Sequence, residues 1–98
     1  MGAESALERA VARDAHTGYG VESLKFTPLG ETGIPDRWFL IPGGRPFLIE
    51  FKAPGEEPKP KQDYWIAKLR RLGYDVEVHD TYEGALEAIV LRLRKALA

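Results

Sequence analysis

Two runs of large apolar residues, separated by the segment Pro-Gly-Gly-Arg at 42–45, constrain the fold of this chain more than any other feature. Residues 38–41 and 47–51 are rich in aromatic and β-branched side chains, which favour strands. Glycine adopts the left-handed backbone conformations that tight hairpin loops require. The segment therefore predicts a β-hairpin, and charged residues stand at its outer ends.

The length of the hairpin loop decides on which face of the sheet these charged residues lie. Alternate residues of a strand share a face, so Glu50 and Lys52 are expected to point to the same side. A loop of two residues would place Asp36 opposite Phe51 and turn its carboxylate to the other face. A loop of three residues, 42–44, places Asp36 opposite Glu50. Because glycine suits the left-handed position of three-residue loops, we expect the second register.

Two carboxylates that face each other on a sheet repel, and the apolar layer beneath them weakens the screening of that repulsion. A divalent cation held by Asp36, Glu50 and the backbone carbonyl of Phe51 would neutralise them. Magnesium prefers such oxygen ligands and retains several waters. Lys52 would lie beside the ion, where it could orient or deprotonate one of those waters.

The rest of the sequence predicts three helices and two more strands. Helical spacing and stop signals predict helices over about 4–15, over 62–72 and from a capping-box pair, Asp80 and Glu83, to the end of the chain, whereas alternating residues predict strands over 21–26 and 75–79. The prolines and charges of 53–61 predict an exposed loop. The predicted order is α-β-β-β-α-β-α, an α/β fold of the α+β type, with residues 1–98 forming a single domain.

Composition excludes several classes of site. The chain has no cysteine, which rules out disulfides, thiolate zinc sites and a cysteine nucleophile, so any metal must be held by oxygen or imidazole. No apolar stretch approaches the roughly 18 to 20 residues that span a bilayer, and the N-terminus lacks the layout of a signal peptide. We therefore expect a cytoplasmic protein without a membrane partner.

The net charge of −1 conceals a segregated pattern. Five basic residues fall close together with a single acidic residue, Asp63, among them: Lys59, Lys61, Lys68, Arg70 and Arg71. This pattern predicts one basic flank, and a solvated helix face with snorkelling side chains is the structural alternative.

Several of these features together resemble the VRR-NUC domain, the virus-type replication and repair nuclease branch of the PD-(D/E)xK superfamily. They are Gly33-Ile34-Pro35-Asp36-Arg37, the turn at 42–44, Glu50-Phe51-Lys52, Gln62 and the segment 69–73. The resemblance extends from Glu8 to about the last helix. It implies a restriction-endonuclease-like core with a mixed central sheet flanked by helices. The implied activity is that of a Mg²⁺- or Mn²⁺-dependent endonuclease, often acting on branched DNA such as Holliday junctions.

The resemblance also assigns roles to residues. Asp36, Glu50 and Lys52 match the catalytic triplet of the family. Glu8 matches an acidic residue of the first helix that can help to bind metal, and Gln62 matches a helix residue near the site.

The sequence also indicates binding partners, namely DNA and a second copy of the chain. Lys59 and Lys61 are expected to reach the phosphates that flank the cleaved bond, Lys25 to approach the phosphate from the first strand, and Lys68 to extend the basic flank. Nothing in the sequence offers a recognition helix or a base-reading motif, so shape and backbone are the expected basis of selection. Symmetric cutting of a four-way junction requires two active sites, which leads us to expect a homodimer.

Each assignment has a structural alternative. Asp36 could cap a turn, Glu8 could complete a capping box with Ser5, Gln62 could begin its helix in solvent, and Lys25 could protect an edge strand from aggregation. Four aromatic residues are expected in the core and not as base-stacking platforms: Trp38, Phe39, Phe47 and Trp65. Two other functions stay open, a nuclease-fold DNA-binding or regulatory module without catalysis, and an α+β interaction module whose acidic pair is accidental.

Overall fold

A computed structural model describes residues 2–98 as three helices and four strands. In chain order the elements are α1 (Ala3–Tyr19), β1 (Ser23–Lys25), β2 (Arg37–Phe39), β3 (Phe47–Phe51), α2 (Pro60–Arg71), β4 (Asp75–His79) and α3 (Tyr82–Leu97). The predicted order α-β-β-β-α-β-α is confirmed. No helix in this part of the chain is both long enough and apolar enough to cross a membrane.

The four strands form one mixed sheet in the order β1-β2-β3-β4. β2 is antiparallel to both of its neighbours, β1 and β3, whereas β4 runs parallel to β3 after the crossover through α2. A parallel pair requires such a crossover, because a tight turn can only reverse the chain. The α+β fold class with a mixed sheet flanked by helices is thus confirmed.

The register of the hairpin is the one that the three-residue loop predicts. Arg37 pairs with Ile49, and Phe39 pairs with Phe47, so the next residues along the ladder, Asp36 and Glu50, lie opposite each other. The ladder ends at Phe39 and Phe47, and the chain between them turns at residues 42–44. Both glycines of that turn have positive φ, 97° and 78°, which explains why glycine occupies these positions.

Each face of the sheet packs against its own helix layer. One face places Phe39, Phe47, Ile49 and Phe51 against α1 and α3 in the larger core. On the other face, Ile66 of α2 packs between Leu48 and Val76. On this second face, α2 covers the half of the sheet that β3 and β4 form. The end of β3 that carries Glu50 therefore lies next to the first turn of α2.

All three helices differ from their predicted bounds, and α2 begins at Pro60 and ends at Arg71 instead of spanning 62–72. α1 continues beyond Ala15 through Gly18 to Tyr19, because packing against α3 offsets the roughly 1 kcal/mol that one glycine costs in a helix. The predicted cap of α3 at Asp80 is wrong: the Thr81 hydroxyl accepts a 3.1 Å hydrogen bond from the Gly84 amide. Asp80 instead accepts a hydrogen bond of 2.9 Å from the Gly55 amide and ties down the proline-rich loop.

The expected aromatic core is correct for three of its four members. Phe39 and Phe47 are fully buried, and the half-buried Trp38 packs against the smaller core. Trp65 belongs to neither core cluster of residues 2–98, so its assignment to the core is wrong. The reason is its position on the flank of α2, because the helix presents Ile66 and Leu69 to the sheet.

Candidate active site

A polar cavity of about 210 Å³ opens where α1, α2 and the ends of β2 and β3 meet. Its lining includes six predicted site residues from five separate segments: Glu8, Lys25, Asp36, Glu50, Phe51 and Gln62. The sheet and its register bring these residues together, although they are spread over more than half of the chain. Lys52 follows directly on β3 and lies close to Glu50.

Asp36 and Glu50 share one face of the sheet, as the hairpin register predicts. The Asp36 carbonyl oxygen accepts a 2.7 Å hydrogen bond from the Phe26 amide, so Asp36 keeps a strand-like position beyond the end of β2. Burial raises the pKa of Glu50 to about 7, the Lys52 ammonium opposes this shift, and the nearby Asp36 carboxylate adds to it. The two acidic groups are therefore close enough to repel each other, and Glu50 binds a proton readily near neutral pH.

Lys52 is almost fully buried, with 3% of its surface exposed. Its Nζ atom lies 3.7 Å from Glu50 Oε2 and 3.9 Å from Glu56 Oε1. A buried ammonium requires a nearby negative partner, and Glu50 supplies it from the same face of β3. The Glu-x-Lys spacing thus keeps one positive and one negative group side by side at the end of a central strand.

Gln62 connects the first turn of α2 to this pair. Its Nε2 atom donates a 3.2 Å hydrogen bond to Glu50 Oε2, and its Oε1 atom accepts one of 2.8 Å from the Lys59 amide. The second contact satisfies an amide at the N-terminus of α2. The structure therefore places Gln62 inside the cavity, with both ends of its amide engaged.

Glu8 reaches the cavity from α1 and carries two positive partners on one oxygen. Its Oε2 atom accepts hydrogen bonds from Lys25 Nζ at 2.8 Å and from Arg37 Nε at 2.9 Å. Lys25 Nζ also lies 3.0 Å from Asp36 Oδ2, so it bridges the two carboxylates. Both ion pairs of Glu8 therefore involve the same oxygen, Oε2.

Arg37 is a member of this cluster that sequence reasoning missed. It follows Asp36 directly, so on a strand it points to the opposite face, where α1 lies. Its partner Glu8 is 29 residues away in the chain. The alternation of strand faces could have indicated that Arg37 points toward a helix, but nothing local identified Glu8 as its partner.

The donor set fits a hard divalent cation. Asp36 and Glu50 offer carboxylate oxygens. Phe51, which stands between Glu50 and Lys52 in the chain, offers its backbone carbonyl oxygen. The Lys52 amide donates to His79 on β4 at 2.9 Å, and the peptide is trans, so the Phe51 carbonyl points the other way, toward β2. The β2–β3 ladder ends at the pair Arg37 and Ile49, and continuing its register by two residues would set Pro35, which has no N–H to donate, beside Phe51. Phe51 is one of the residues that line the cavity, which makes its carbonyl a candidate ligand there.

The number of ligands that the protein can supply is small. Within residues 2–98 there is no cluster of three or more histidine, cysteine, aspartate or glutamate side chains able to hold a metal. Two carboxylates and one carbonyl suit Mg²⁺ or Mn²⁺, since magnesium usually keeps several waters and takes one or two carboxylates from the protein.

The lysines predicted to contact DNA lie at different distances from the cavity. Lys25 lines the cavity, and Lys59 and Lys61 stand at the start of α2 beside Gln62. Lys68 lies six residues after Gln62, about 9 Å further along the helix axis. Its Nζ atom lies over the rings of Tyr64 and Trp65, 5.8 Å and 5.2 Å from their centres.

Gly33 brings the segment before Asp36 into close contact with α2. Its φ is +90°, and a Cβ atom added there would lie 2.9 Å from the carbonyl carbon and oxygen of Lys61. No residue with a side chain fits at that distance. The close approach of these two backbones sets the separation between Asp36 and the first turn of α2.

Comparison with known proteins gives consistent matches. The sequence model of the VRR-NUC domain matches residues 25–81. The chain is 35% identical over 80 residues to a protein named "Putative nuclease p44" from Acyrthosiphon pisum secondary endosymbiont phage 1, covering 82% of this chain and 85% of that protein. A solved structure described as a VRR_NUC domain superposes with a TM-score of 0.79 at 22% identity, covering 92% of this chain and 97% of that one, which shows a shared fold.

Proposed function

The chain belongs to the VRR-NUC domain family, and we propose that it is a metal-dependent endonuclease that hydrolyses phosphodiester bonds in DNA. One observation carries the proposal: Asp36 and Glu50 lie opposite each other at a polar cavity, with the buried ammonium of Lys52 beside them. The family match and the phage relative that is named as a nuclease support the same activity.

Asp36, Glu50 and the Phe51 carbonyl are the residues that would hold a divalent ion, Mg²⁺ or Mn²⁺. When bound, such an ion supplies Lewis-acid polarisation of the phosphate and an acidified water as nucleophile. Both carboxylates must be ionised to act as ligands. Burial and the nearby Asp36 carboxylate raise the pKa of Glu50 to about 7, and a bound cation would favour its ionised form.

Lys52 contributes positive charge to the scissile phosphate and orients the attacking water. Its ammonium is held on the same face as Glu50, and burial removes the competing water that would screen its charge. The negative charge that develops on the phosphoryl oxygens is therefore stabilised by a group fixed in advance, without reorganisation during the reaction.

Gln62 has a positioning role in this proposal. One hydrogen of its amide group binds Glu50, and the second hydrogen of the same nitrogen is available to a water or a phosphate oxygen. Because the other end of the amide caps α2, the nitrogen is held with its donors toward the cavity. Glu8 holds the positive charges of Lys25 and Arg37 at the opposite wall of the cavity. We also propose, as a second role to be tested, that Glu8 contacts the metal directly.

We extend the proposal to branched DNA as substrate, cut by a homodimer. The resemblance to nucleases of Holliday junctions supports this, as does the lack of a base-reading element in the sequence. Two active sites are needed to cut a junction with near two-fold symmetry. The phage origin of the relative favours a setting in the cytoplasm of a bacterium or of a phage-infected cell.

The test is cleavage of supercoiled plasmid, a synthetic four-way junction and a linear duplex, each with Mg²⁺ or Mn²⁺ and then with chelator. We expect metal-dependent nicking, faster cutting of the junction than of the duplex, and loss of both in Asp36→Asn and Lys52→Ala. Asp63→Asn and Lys95→Ala, which change exposed residues outside the cavity, serve as matched controls and should retain activity.

Circular dichroism and thermal melting of the inactive variants test whether they are folded. If the wild-type protein binds DNA but cleaves none of the substrates with either metal, the endonuclease proposal fails and a non-catalytic DNA-binding or regulatory module replaces it. If it neither binds nor cleaves DNA, the acidic pair belongs to an interaction module.

A further inference from the structure

Beyond its first turn, α2 carries an aromatic and basic surface that the catalytic cavity does not use. We call it the α2 patch and define it as Lys61, Tyr64, Trp65 and Lys68. The Tyr64 ring is 54% exposed, and Trp65 is partly exposed. The two rings lie 5.6 Å apart at 84°, and the Lys68 ammonium lies over both. Neither ring belongs to the core clusters of residues 2–98.

The patch is continuous with the active site. Lys61, Trp65 and Lys68 follow one another at helical spacing, so they share one side of α2. Lys61, at the start of that row, directly precedes Gln62 and lies against Gly33, a residue of the cavity lining. The row spans about 10 Å along the helix axis, which corresponds to about three nucleotides of one DNA strand.

The charge of the patch suits a polyanion. Asp63 is the only acidic residue of α2, and within residues 2–98 neither Lys61 nor Lys68 takes part in a salt bridge. Proteins bind single-stranded nucleic acid through positively charged side chains that follow its phosphate backbone, combined with exposed aromatic rings on which its bases stack. A paired duplex does not offer the faces of its bases, whereas unpaired nucleotides do.

We propose that Tyr64 and Trp65 stack against unpaired nucleotides of the DNA strand next to the cleavage site, while Lys61 and Lys68 contact its phosphates. This inference rests on the proposed endonuclease function and names the part of the substrate that the α2 patch recognises. An arriving base takes the place of the Lys68 ammonium over the rings, and the displaced ammonium pairs with a phosphate. The patch therefore favours DNA that carries an unpaired segment near the cut.

The experiment measures binding in the presence of chelator, so that no cleavage occurs. Two labelled DNAs of equal length are compared by fluorescence anisotropy, a blunt duplex and a duplex with a short single-stranded extension. We expect Tyr64→Ala and Trp65→Ala each to weaken binding of the extended DNA about tenfold, as for loss of one stacked base, and to change duplex binding less than about twofold.

Two matched variants separate stacking from a folding defect. Trp65→Phe keeps an aromatic ring and should retain most of the preference for the extended DNA. Tyr74→Ala removes an aromatic side chain that is 44% exposed and lies outside the α2 patch, and it should leave both affinities unchanged.

Equal losses on both DNAs, or no loss on either, would overturn the inference. It would also fail if the alanine variants changed the molar mass in light scattering without a selective loss on the extended DNA, because the patch would then be a contact between two copies. The readout needs no catalysis: if the wild-type protein cleaves DNA while the variants keep their preference, only this inference falls. If the wild-type protein never cleaves but the variants lose the preference, only the endonuclease proposal falls.

Discussion

The side-chain amide of Gln62 donates a 3.2 Å hydrogen bond to the carboxylate of Glu50, and this contact joins the first turn of α2 to the end of β3. The other end of the same amide accepts the Lys59 amide hydrogen at 2.8 Å. One side chain therefore satisfies the N-terminus of a helix and orients an acidic group of the site. The stability of α2 and the geometry of the cavity are coupled through it.

Replacement of Gln62 should affect both properties. We expect Gln62→Ala to lower the free energy of unfolding by about 1 kcal/mol, since one helix-terminal amide loses its acceptor. We expect cleavage to slow by about tenfold to a hundredfold, because Glu50 loses its fixed orientation. Urea denaturation and single-turnover cleavage measure the two effects.

Gln62→Glu is the matched control for this prediction. It keeps an oxygen that can accept from the Lys59 amide, so the unfolding free energy should stay close to that of the wild-type protein. Cleavage should fall because another acidic group enters the cavity beside Glu50. Equal loss of stability in both variants would contradict the capping role.

The raised pKa of Glu50 makes the stability of the protein depend on pH. The folded-state pKa of about 7 lies above the ordinary value of 4.5, so the folded protein holds the proton more tightly than the unfolded chain. The contribution of Glu50 is fully present below pH 4.5 and is lost as the pH rises through about 7.

Glu50→Gln removes this dependence. Without added metal, we expect the variant to be more stable than the wild-type protein at pH 8 by about 1–2 kcal/mol, with the difference shrinking toward pH 5. Chemical denaturation at the two pH values measures it. A difference that stays constant between pH 5 and pH 8 would show that the pKa of Glu50 is not raised.

Gly33 should be intolerant of a side chain. Gly33→Ala places a Cβ atom 2.9 Å from the Lys61 carbonyl group and requires a φ of +90°, so we expect a loss of unfolding free energy of about 2–4 kcal/mol and displacement of Asp36. Gly30→Ala is the matched control, because its φ is +79° but no atom lies within 4 Å of the added Cβ. It should cost about 1 kcal/mol. Similar losses in both variants would show that the contact with α2 is unimportant.

Lys25 holds one carboxylate oxygen of Asp36 in an ion pair. Its ammonium lies 3.0 Å from Asp36 Oδ2, so Lys25→Met removes a positive charge from the proposed ion site. We expect Mn²⁺ to bind about twofold to fivefold more tightly in isothermal titration calorimetry, as for loss of a partly exposed ion pair. Lys61→Met, which removes an exposed lysine outside the cavity lining, should leave the affinity unchanged. Weaker binding in Lys25→Met would mean that Lys25 organises the site.

Local patterns in the sequence were sufficient for the order of elements and for the acidic pair. The alternation of β3 places Glu50 and Lys52 on one face, and the three-residue turn sets the register that brings Asp36 opposite Glu50. Both features depend only on neighbouring residues and on backbone geometry, so they can be read from a short segment.

Other features depended on contacts between distant segments. The sequence offered Asp80 as the cap of α3, but Asp80 binds the Gly55 amide and Thr81 provides the cap. Trp65 has the spacing of a core residue, yet α2 covers only part of the sheet and leaves this ring on its flank. In both cases the local pattern correctly predicted the kind of feature, a helix cap or an apolar helix face. The packing of other segments decided that Thr81 forms the cap and that Ile66, not Trp65, faces the sheet.

The chain by itself thus determined which residues carry charge, which faces of the strands they occupy and how the hairpin aligns them. The tertiary structure alone decided that Glu8 of α1 receives both Lys25 and Arg37, and that Gln62 of α2 reaches Glu50. Periodicity fixes the direction of a side chain relative to its own element. The partner that it meets is fixed by how helices and sheet pack around the shared core, and residues far apart in the chain contribute to that packing together.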